Sequence, residues 1–155
     1  MGHPMKRLCT ICARGGSKGI PGKNIRPMGG EPLIVHSLLQ AQSSGLFDSV
    51  AVSSDSKEIL NISEKAGADY CVFRPKELAS DSAPKLPAIQ HCVNEVETIS
   101  GKTFDVIVDL DVTSPLRLIK DIEGAVRLLE DKNVSNVITG CPARRSPYFN
   151  LVERD

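Results

Sequence analysis

Hydrophobic positions along the chain follow two alternating spacings. Short, nearly continuous apolar runs predict strands at residues 7–13, 49–53, 70–73 and 104–110. Apolar residues at helical spacing follow each run, and they predict helices from Pro32 to about Gly45, from a cap at Asp55 or Ser56 to Ala66, over 84–99 and over 121–130. A further strand is predicted over 134–141, most clearly at 136–139.

This repeated strand–helix alternation predicts a single α/β domain with three layers, in which helices cover both faces of a mainly parallel sheet. Ligands of such sheets bind beyond the carboxyl ends of the strands. The rule selects four loops as candidate binding segments, at residues 14–28, 54–55, 74–83 and 111–117. A chain of 155 residues is long enough to bury a core of its own, and no apolar run approaches the length of a membrane-spanning helix.

Charge is balanced overall but unevenly distributed. The 19 basic and 19 acidic residues cancel, which disfavours a general nucleic-acid binder. No acidic residue precedes Glu31, and the same stretch carries six cations, Lys6, Arg7, Arg14, Lys18, Lys23 and Arg26. A local cationic patch in a neutral protein favours a small polyanionic ligand.

The five cysteines are odd in number and irregularly spaced, so they indicate no disulfide framework and favour a reduced, cytoplasmic setting. Cys9 and Cys12 form a C-x-x-C pair, but residues three apart on a strand point to opposite faces. No second cysteine pair or histidine pair completes a zinc site. We therefore expect these cysteines to be structural.

The first loop, ARGGSKGIPGKN from Ala13 to Asn24, combines glycines, a serine and cations beyond a strand end. Glycines allow the backbone N–H groups to approach phosphate oxygens closely, and the cations neutralise phosphate charge. The loop matches neither G-x-G-x-x-G nor G-x-x-x-x-G-K-[ST], because Ser17 and Asn24 occupy required positions of the second pattern. It is predicted to bind phosphate in another way, the alternative being a solvated basic loop.

Three ordered motifs carry a resemblance to a known family. RGGSKGIPGKN at residues 14–24, RPKELASD at 74–81 and TSPLR at 113–117 resemble the signature loops of the acylneuraminate cytidylyltransferases, the CMP-sialic acid synthetases. The likeness extends from Leu8 to Pro142. It implies a Rossmann-like nucleotide-diphospho-sugar transferase fold. It also implies transfer of CMP from CTP to a nonulosonic, sialic-type acid with release of pyrophosphate.

The resemblance also implies roles for individual residues. Arg14, Lys18 and Lys23 are the expected catalytic cations, because charge develops on the leaving pyrophosphate in the transition state. The expected CTP-binding residues are these three together with Ala13, Gly15, Gly16, Ser17, Asn24, Arg74, Ser80, Asp81, Lys85, Thr113 and Ser114. Lys85 departs from the family, which often has a small polar residue at this position.

A magnesium ligand is expected at the end of the fourth strand. Asp109 and Asp111 flank Leu110, so both side chains point the same way if the strand continues. Related cytidylyltransferases for the eight-carbon acid KDO have a magnesium-binding aspartate nearby, and some sialic-acid members have glutamine where Asp111 lies. Asp111 is therefore the candidate Mg²⁺ ligand, and the alternative is an aspartate that caps a turn.

The family is longer than 155 residues. The resemblance therefore implies an incomplete CTP-binding domain over 5–142 and, over 143–155, the start of a sugar-binding and dimerisation region. The expected partners are CTP and a sugar acid, with a homodimer at full length and neither nucleic acid nor a membrane. Two alternatives stay open: a nucleotide-binding module without turnover, and a cytidylyltransferase for another sugar acid such as KDO.

Overall fold

The computed structural model describes residues 4–16 and 19–140. Its elements, in chain order, are strand β1 (Arg7–Cys12), β2 (Pro27–Met28), β3 (Glu31–Pro32), helix α1 (Leu33–Ser44), β4 (Ser49–Ser54), α2 (Lys57–Lys65), β5 (Tyr70–Phe73), α3 (Lys85–Ser100), β6 (Val106–Asp109) and α4 (Ile119–Lys132). Short 3-10 turns lie at Lys23–Ile25 and Lys76–Leu78.

The main sheet is parallel throughout, in the order β5-β4-β1-β6. β4 is buried along its whole length and β1 at its four central residues, as expected for interior strands of a sheet covered on both faces. The chain runs outward from β1 to β4 and β5, and then crosses back to place β6 on the other side of β1. This reversal creates a switch point between β1 and β6, where open α/β sheets bind ligands.

Two apolar clusters give the three layers. On one face, Cys9 and Ile11 of β1 pack in one cluster with Ile34 and Leu38 of α1, and Ile59 of α2 belongs to the same cluster. On the other face, the second cluster joins strand residues to Cys92 and Val96 of α3. Strand residues alternate between the clusters because successive side chains point to opposite faces. The predicted three-layer α/β fold is confirmed.

The element boundaries agree with the sequence patterns to within a few residues. Ser56, one of the two expected caps, begins α2 by accepting a hydrogen bond from Ile59 N through its side chain. The β2–β3 hairpin was not expected. It turns through Gly29 and Gly30, whose φ angles are +61° and +97°, a conformation that glycine adopts without steric cost.

The prediction of a strand over 134–141 is wrong for the described part of that range. Residues 134–140 have no regular secondary structure, and Cys141 lies outside the described residues. Residues 134–140 belong to the second of two compact units. The first unit ends at Glu123 and the second begins at Gly124. A strand must pair its N–H and C=O groups with a neighbour, and within the described part of this unit no other strand is present. The apolar pattern alone could not form one.

No helix among the described residues is both long enough and apolar enough to cross a membrane. The cysteines described, Cys9, Cys12, Cys71 and Cys92, are all free thiols. Burial raises the pKa of Cys12 to about 11 and also raises the pKa of Cys9 and Cys92. These three thiols therefore stay protonated near neutral pH, in keeping with a structural role.

Candidate active site

A cleft of about 330 Å³ opens at the carboxyl edge of the main sheet. It lies where the segments after β1, β5 and β6 meet the start of α3. Its lining consists of Cys12, Arg14, Lys23, Asn24, Arg74, Leu78, Ser80, Asp81, Ala83, Pro84, Lys85, Ala88, Asp111, Val112 and Thr113. Residues from all three sequence motifs therefore come together in one place.

Two side chains fix the backbone of the first loop. Asn24 is 7% exposed, and its side-chain amide donates a hydrogen bond to Arg14 O at 2.9 Å. The Asp55 carboxylate, at the end of β4, accepts a hydrogen bond from Gly15 N at 2.8 Å. The sequence marked the 54–55 turn and offered Asp55 as one of two helix caps, but it indicated no contact between Asp55 and the first loop. Its position directly after a buried strand was the available signal.

Gly15 lies where no larger residue fits without adjustment. A Cβ atom at this position would lie 2.9 Å from Ser56 Cβ, whereas one at Gly16 would meet nothing within 4 Å. We expect Gly15→Ala to lower the free energy of unfolding by about 1 kcal/mol, because overpacking forces the backbone to shift. Gly16→Ala is the matched control. Equal thermal unfolding of the two variants would show that Gly15 does not need its close approach to Ser56.

Arg14 links the first loop to the loop after β5. Its Nη1 lies 2.7 Å from Asp81 Oδ1 and donates to Ser80 O at 3.3 Å. The Arg14 side chain is 38% exposed, so this ion pair is solvent-screened and contributes little to stability. An incoming phosphate can therefore compete with Asp81 for the guanidinium at small cost.

Lys23 and Arg74 supply positive charge that the described residues do not neutralise. No carboxylate of residues 4–16 or 19–140 forms an ion pair with either side chain. Arg74 is only 5% exposed, and it donates to Ser53 Oγ at 3.1 Å and to Ser53 O at 2.8 Å. A buried cation without a counter-ion is costly, so the arrangement favours an anionic ligand.

Lys85 lies between two carboxylates. Its Nζ is 2.6 Å from Asp109 Oδ2 and 3.2 Å from Asp111 Oδ2. Burial works against the charged form, but Asp109 and Asp111 raise the pKa of Lys85 above its ordinary value. Asp109 also accepts a hydrogen bond from Thr10 Oγ1 at 3.1 Å. The expectation that Asp109 and Asp111 point the same way is confirmed.

Asp111 also organises the loop that follows β6. Its Oδ1 accepts hydrogen bonds from Thr113 N at 3.0 Å and from Thr113 Oγ1 at 2.8 Å. Burial opposes the charge, but these bonds and Lys85 hold the pKa of Asp111 below its usual value. The carboxylate is therefore ionised at neutral pH. It serves as a turn cap, and whether it also binds a metal stays a prediction.

The remaining expected site residues lie outside the cleft lining or outside the described residues. Ala13 is buried and donates its N–H to Ser53 O, while Gly15, Gly16 and Ser114 do not line the cleft. Ser17, Lys18 and the range 143–155 fall outside the part of the chain that the structure describes. The apolar lining at Cys12, Leu78, Ala83, Pro84, Ala88 and Val112 was not predicted.

The cleft carries an excess of positive charge. Its described lining contains four cations, Arg14, Lys23, Arg74 and Lys85, and two carboxylates, Asp81 and Asp111. Such a cleft concentrates field lines and attracts polyanions. Fold and site together define a parallel α/β domain with an anion-attracting cleft at its switch point.

The family follows from comparison with known proteins. The family model described as Cytidylyltransferase matches residues 8–150. The chain therefore belongs to the cytidylyltransferase family.

Two curated relatives and one solved structure are similar to it. The chain is 44% identical over 146 residues to post-translational flagellin modification protein B of Campylobacter coli, covering 94% of this chain and 62% of the relative. It matches the CMP-N,N'-diacetyllegionaminic acid synthase of Campylobacter jejuni with the same identity and coverage. It thus spans less than two thirds of the length of either relative.

The solved structure supports the fold. CMP-2-keto-3-deoxy-manno-octonic acid synthetase, determined in complex with CTP, superposes with a TM-score of 0.67 at 21% identity. The superposition covers 83% of this chain and 48% of that one. At this identity the likeness establishes a shared architecture.

Proposed function

We propose that the protein transfers CMP from CTP to a nonulosonic acid and releases pyrophosphate. The observation that carries this proposal is the cleft at the switch point, which unites the three family motifs around four cations. Membership of the cytidylyltransferase family supports the nucleotide, and the name of the Campylobacter jejuni relative supports the acceptor class.

In this reaction, a hydroxyl oxygen of the sugar acid forms a bond to the α-phosphorus of CTP. The bond from that phosphorus to the bridging oxygen breaks, pyrophosphate leaves with the electron pair, and the hydroxyl loses its proton. Negative charge grows on the leaving oxygens, and fixed cations stabilise it most strongly in the transition state. Arg14 and Lys23, which line the cleft, would supply two of these cations, and Lys18 would complete the expected set.

Arg74 would hold a different part of the nucleotide. It extends from the end of β5, and its hydrogen bonds to Ser53 fix the guanidinium against the sheet. The ordered position means that little side-chain entropy is lost when a ligand binds. Asn24 acts indirectly, by holding the Arg14 backbone in place.

The carboxylates near Lys85 have the donor chemistry that magnesium prefers. Asp109 Oδ2 and Asp111 Oδ2 are hard oxygen donors that converge on one point, which the Lys85 ammonium fills. No group of three or more histidine, cysteine or carboxylate side chains that could hold a metal ion gathers among the described residues. The two carboxylates would therefore supply only part of a divalent-cation site, and the phosphates would supply further oxygen ligands once Lys85 moves toward them. Magnesium bound there would neutralise triphosphate charge during transfer.

Replacement of Asp111 tests its part in this site. We expect Asp111→Asn to remove the gain in CTP affinity that magnesium gives, because a neutral amide is a poor magnesium ligand. Isothermal titration with CTP, with and without Mg²⁺, measures this gain. Asp105→Asn, an exposed aspartate whose carboxylate accepts from Lys6 N, is the control. An unchanged magnesium effect in Asp111→Asn would leave Asp111 with its turn-capping role alone.

Pyrophosphate release tests the function itself. The protein is incubated with CTP, ATP or GTP, together with N-acetylneuraminic acid, N,N'-diacetyllegionaminic acid or KDO, in the presence of Mg²⁺. Release that requires CTP and a nonulosonic acid is the expected result. CTP binding without release would favour a nucleotide-binding module, and turnover with KDO alone would reassign the acceptor. A homodimer and a cytoplasmic location stay predictions from the sequence.

A further inference from the structure

The loop that carries Asp111 and Thr113 is tied to helix α1 by a network of hydrogen bonds. The Gln40 amide donates to Pro115 O at 2.7 Å and to Arg117 O at 3.0 Å. Arg117 in turn donates through Nη1 to Gln40 Oε1 at 3.1 Å, and through Nη2 to Asp111 O. Gln40 and Arg117 thus brace both ends of the loop.

Arg117 is also anchored deeper in the helix. Its Nη1 donates to the hydroxyl of Ser37 at 3.3 Å, and Ser37 is completely buried. Neither Gln40 nor Arg117 lines the cleft. The two side chains contact the loop outside the cleft lining. They can therefore influence the cleft only through the residues that they position.

The same helix holds the far end of the first loop. Leu33 N donates to Arg26 O at 2.9 Å, and His36 Nε2 lies at hydrogen-bond distance, 2.7 Å, from Met28 O. Ile34 and Leu38 of this helix pack in the hydrophobic core. Helix α1 therefore contacts two of the three loops that contribute to the cleft.

We propose that Gln40 and Arg117 are positioning residues, which set the distance between the Asp111–Thr113 wall of the cleft and the cations of the first loop. The part of this inference that concerns CTP rests on the proposed function, in which the cleft binds CTP. Each of the two residues satisfies backbone carbonyls that have no partner in a strand or helix. Without these bonds the loop would lose its fixed place against α1, and its own short turns, closed by Thr113 N and Ser114 N on Asp111, would open more often.

Helix α1 provides a matched control for the test. Gln42 is another glutamine of this helix, and its amide also donates to two carbonyls, Ala66 O at 3.1 Å and Gly67 O at 2.9 Å. These carbonyls belong to the turn after α2, away from the cleft lining. Gln40→Ala and Gln42→Ala therefore each remove two bonds donated to backbone carbonyls. Gln40→Ala also removes the bond accepted from Arg117, and only this variant frees the Asp111 loop.

Two measurements are made on the wild type and both variants. Hydrogen exchange is followed at the amides of Val112, Thr113 and Ser114, and CTP affinity is measured by titration. We expect exchange there to be at least about tenfold faster in Gln40→Ala than in Gln42→Ala, and the Kd for CTP to rise about tenfold in Gln40→Ala alone. Gln40→Glu keeps the acceptor for Arg117 but loses both donated bonds, and its second carboxylate oxygen repels the carbonyl oxygens of Pro115 and Arg117. It should therefore change exchange and CTP affinity in the same direction as Gln40→Ala.

Equal exchange and equal CTP affinity in the two alanine variants would overturn the proposal. Faster loop exchange with unchanged CTP affinity would overturn it as well, because the loop would then be held without effect on the ligand. If the wild type itself binds no CTP, the proposed function fails. The exchange result then still decides whether Gln40 holds the loop.

Discussion

Replacement of Arg74 by methionine is expected to lower the affinity for CTP about a hundredfold, which corresponds to about 2.7 kcal/mol. The Tm of the ligand-free protein should change by less than about 4 °C, or under about 1 kcal/mol. Arg74 is buried and has no carboxylate partner among the described residues. Its charge therefore contributes little to the ligand-free fold and much to a complex with an anion.

The small change in Tm follows from opposing effects. Methionine replaces the aliphatic part of the arginine side chain and removes the cost of a buried, uncompensated cation. Ser53 Oγ loses its bond from Arg74, but Ser53 O keeps the hydrogen bond from Ala13 N at 3.0 Å. Arg127→Met, an exposed arginine of α4, is the control and should change neither property. A large fall in Tm with unchanged CTP affinity would make Arg74 a purely structural residue.

Lys23→Ala is expected to weaken CTP binding by about ten- to a hundredfold, because a charge-assisted contact to phosphate contributes about 1.5–3 kcal/mol. Unfolding in the absence of nucleotide should hardly change, since Lys23 lines the cleft and forms no ion pair with the described residues. Titration calorimetry and thermal unfolding of the same preparation measure the two effects.

Lys102→Ala controls for the loss of one positive charge from the whole protein. Lys102 is exposed, and it follows α3, outside the cleft lining. If both lysine variants weaken CTP binding equally, the effect comes from net charge rather than from a contact with Lys23. A Lys23→Ala variant whose main defect is a lower Tm would contradict the phosphate role.

Arg74 and Lys85 differ in a way that their sequence positions do not reveal. Both were expected to bind CTP, and both line the cleft. The sequence could not show that Lys85 is paired with Asp109 and Asp111 while Arg74 is buried beside Ser53. Asp109 and Lys85 are 24 positions apart in the sequence, and only the crossing of α3 over the sheet brings them together.

The strands were predictable because a buried strand requires a short run of small and apolar residues, which is visible in the local sequence. β4 is buried on both sides, so SVAVSS reads as a continuous run of small and apolar residues. The strand predicted over 134–141 is absent from the described residues 134–140, and the reason is also one of pairing. An apolar run forms a strand only where another strand offers hydrogen bonds, and this requirement is tertiary.

The sequence by itself determined the parallel α/β class, three loops that line the cleft, and the family to which the motifs belong. These features depend on periodicity and on residue types within short segments. Tertiary structure alone decided which cations are paired, that Asp55 holds the first loop through Gly15, and that Gln40 and Arg117 brace the Asp111 loop from α1. Each of these contacts joins residues far apart in the chain, and its geometry is set by how helices pack on the sheet.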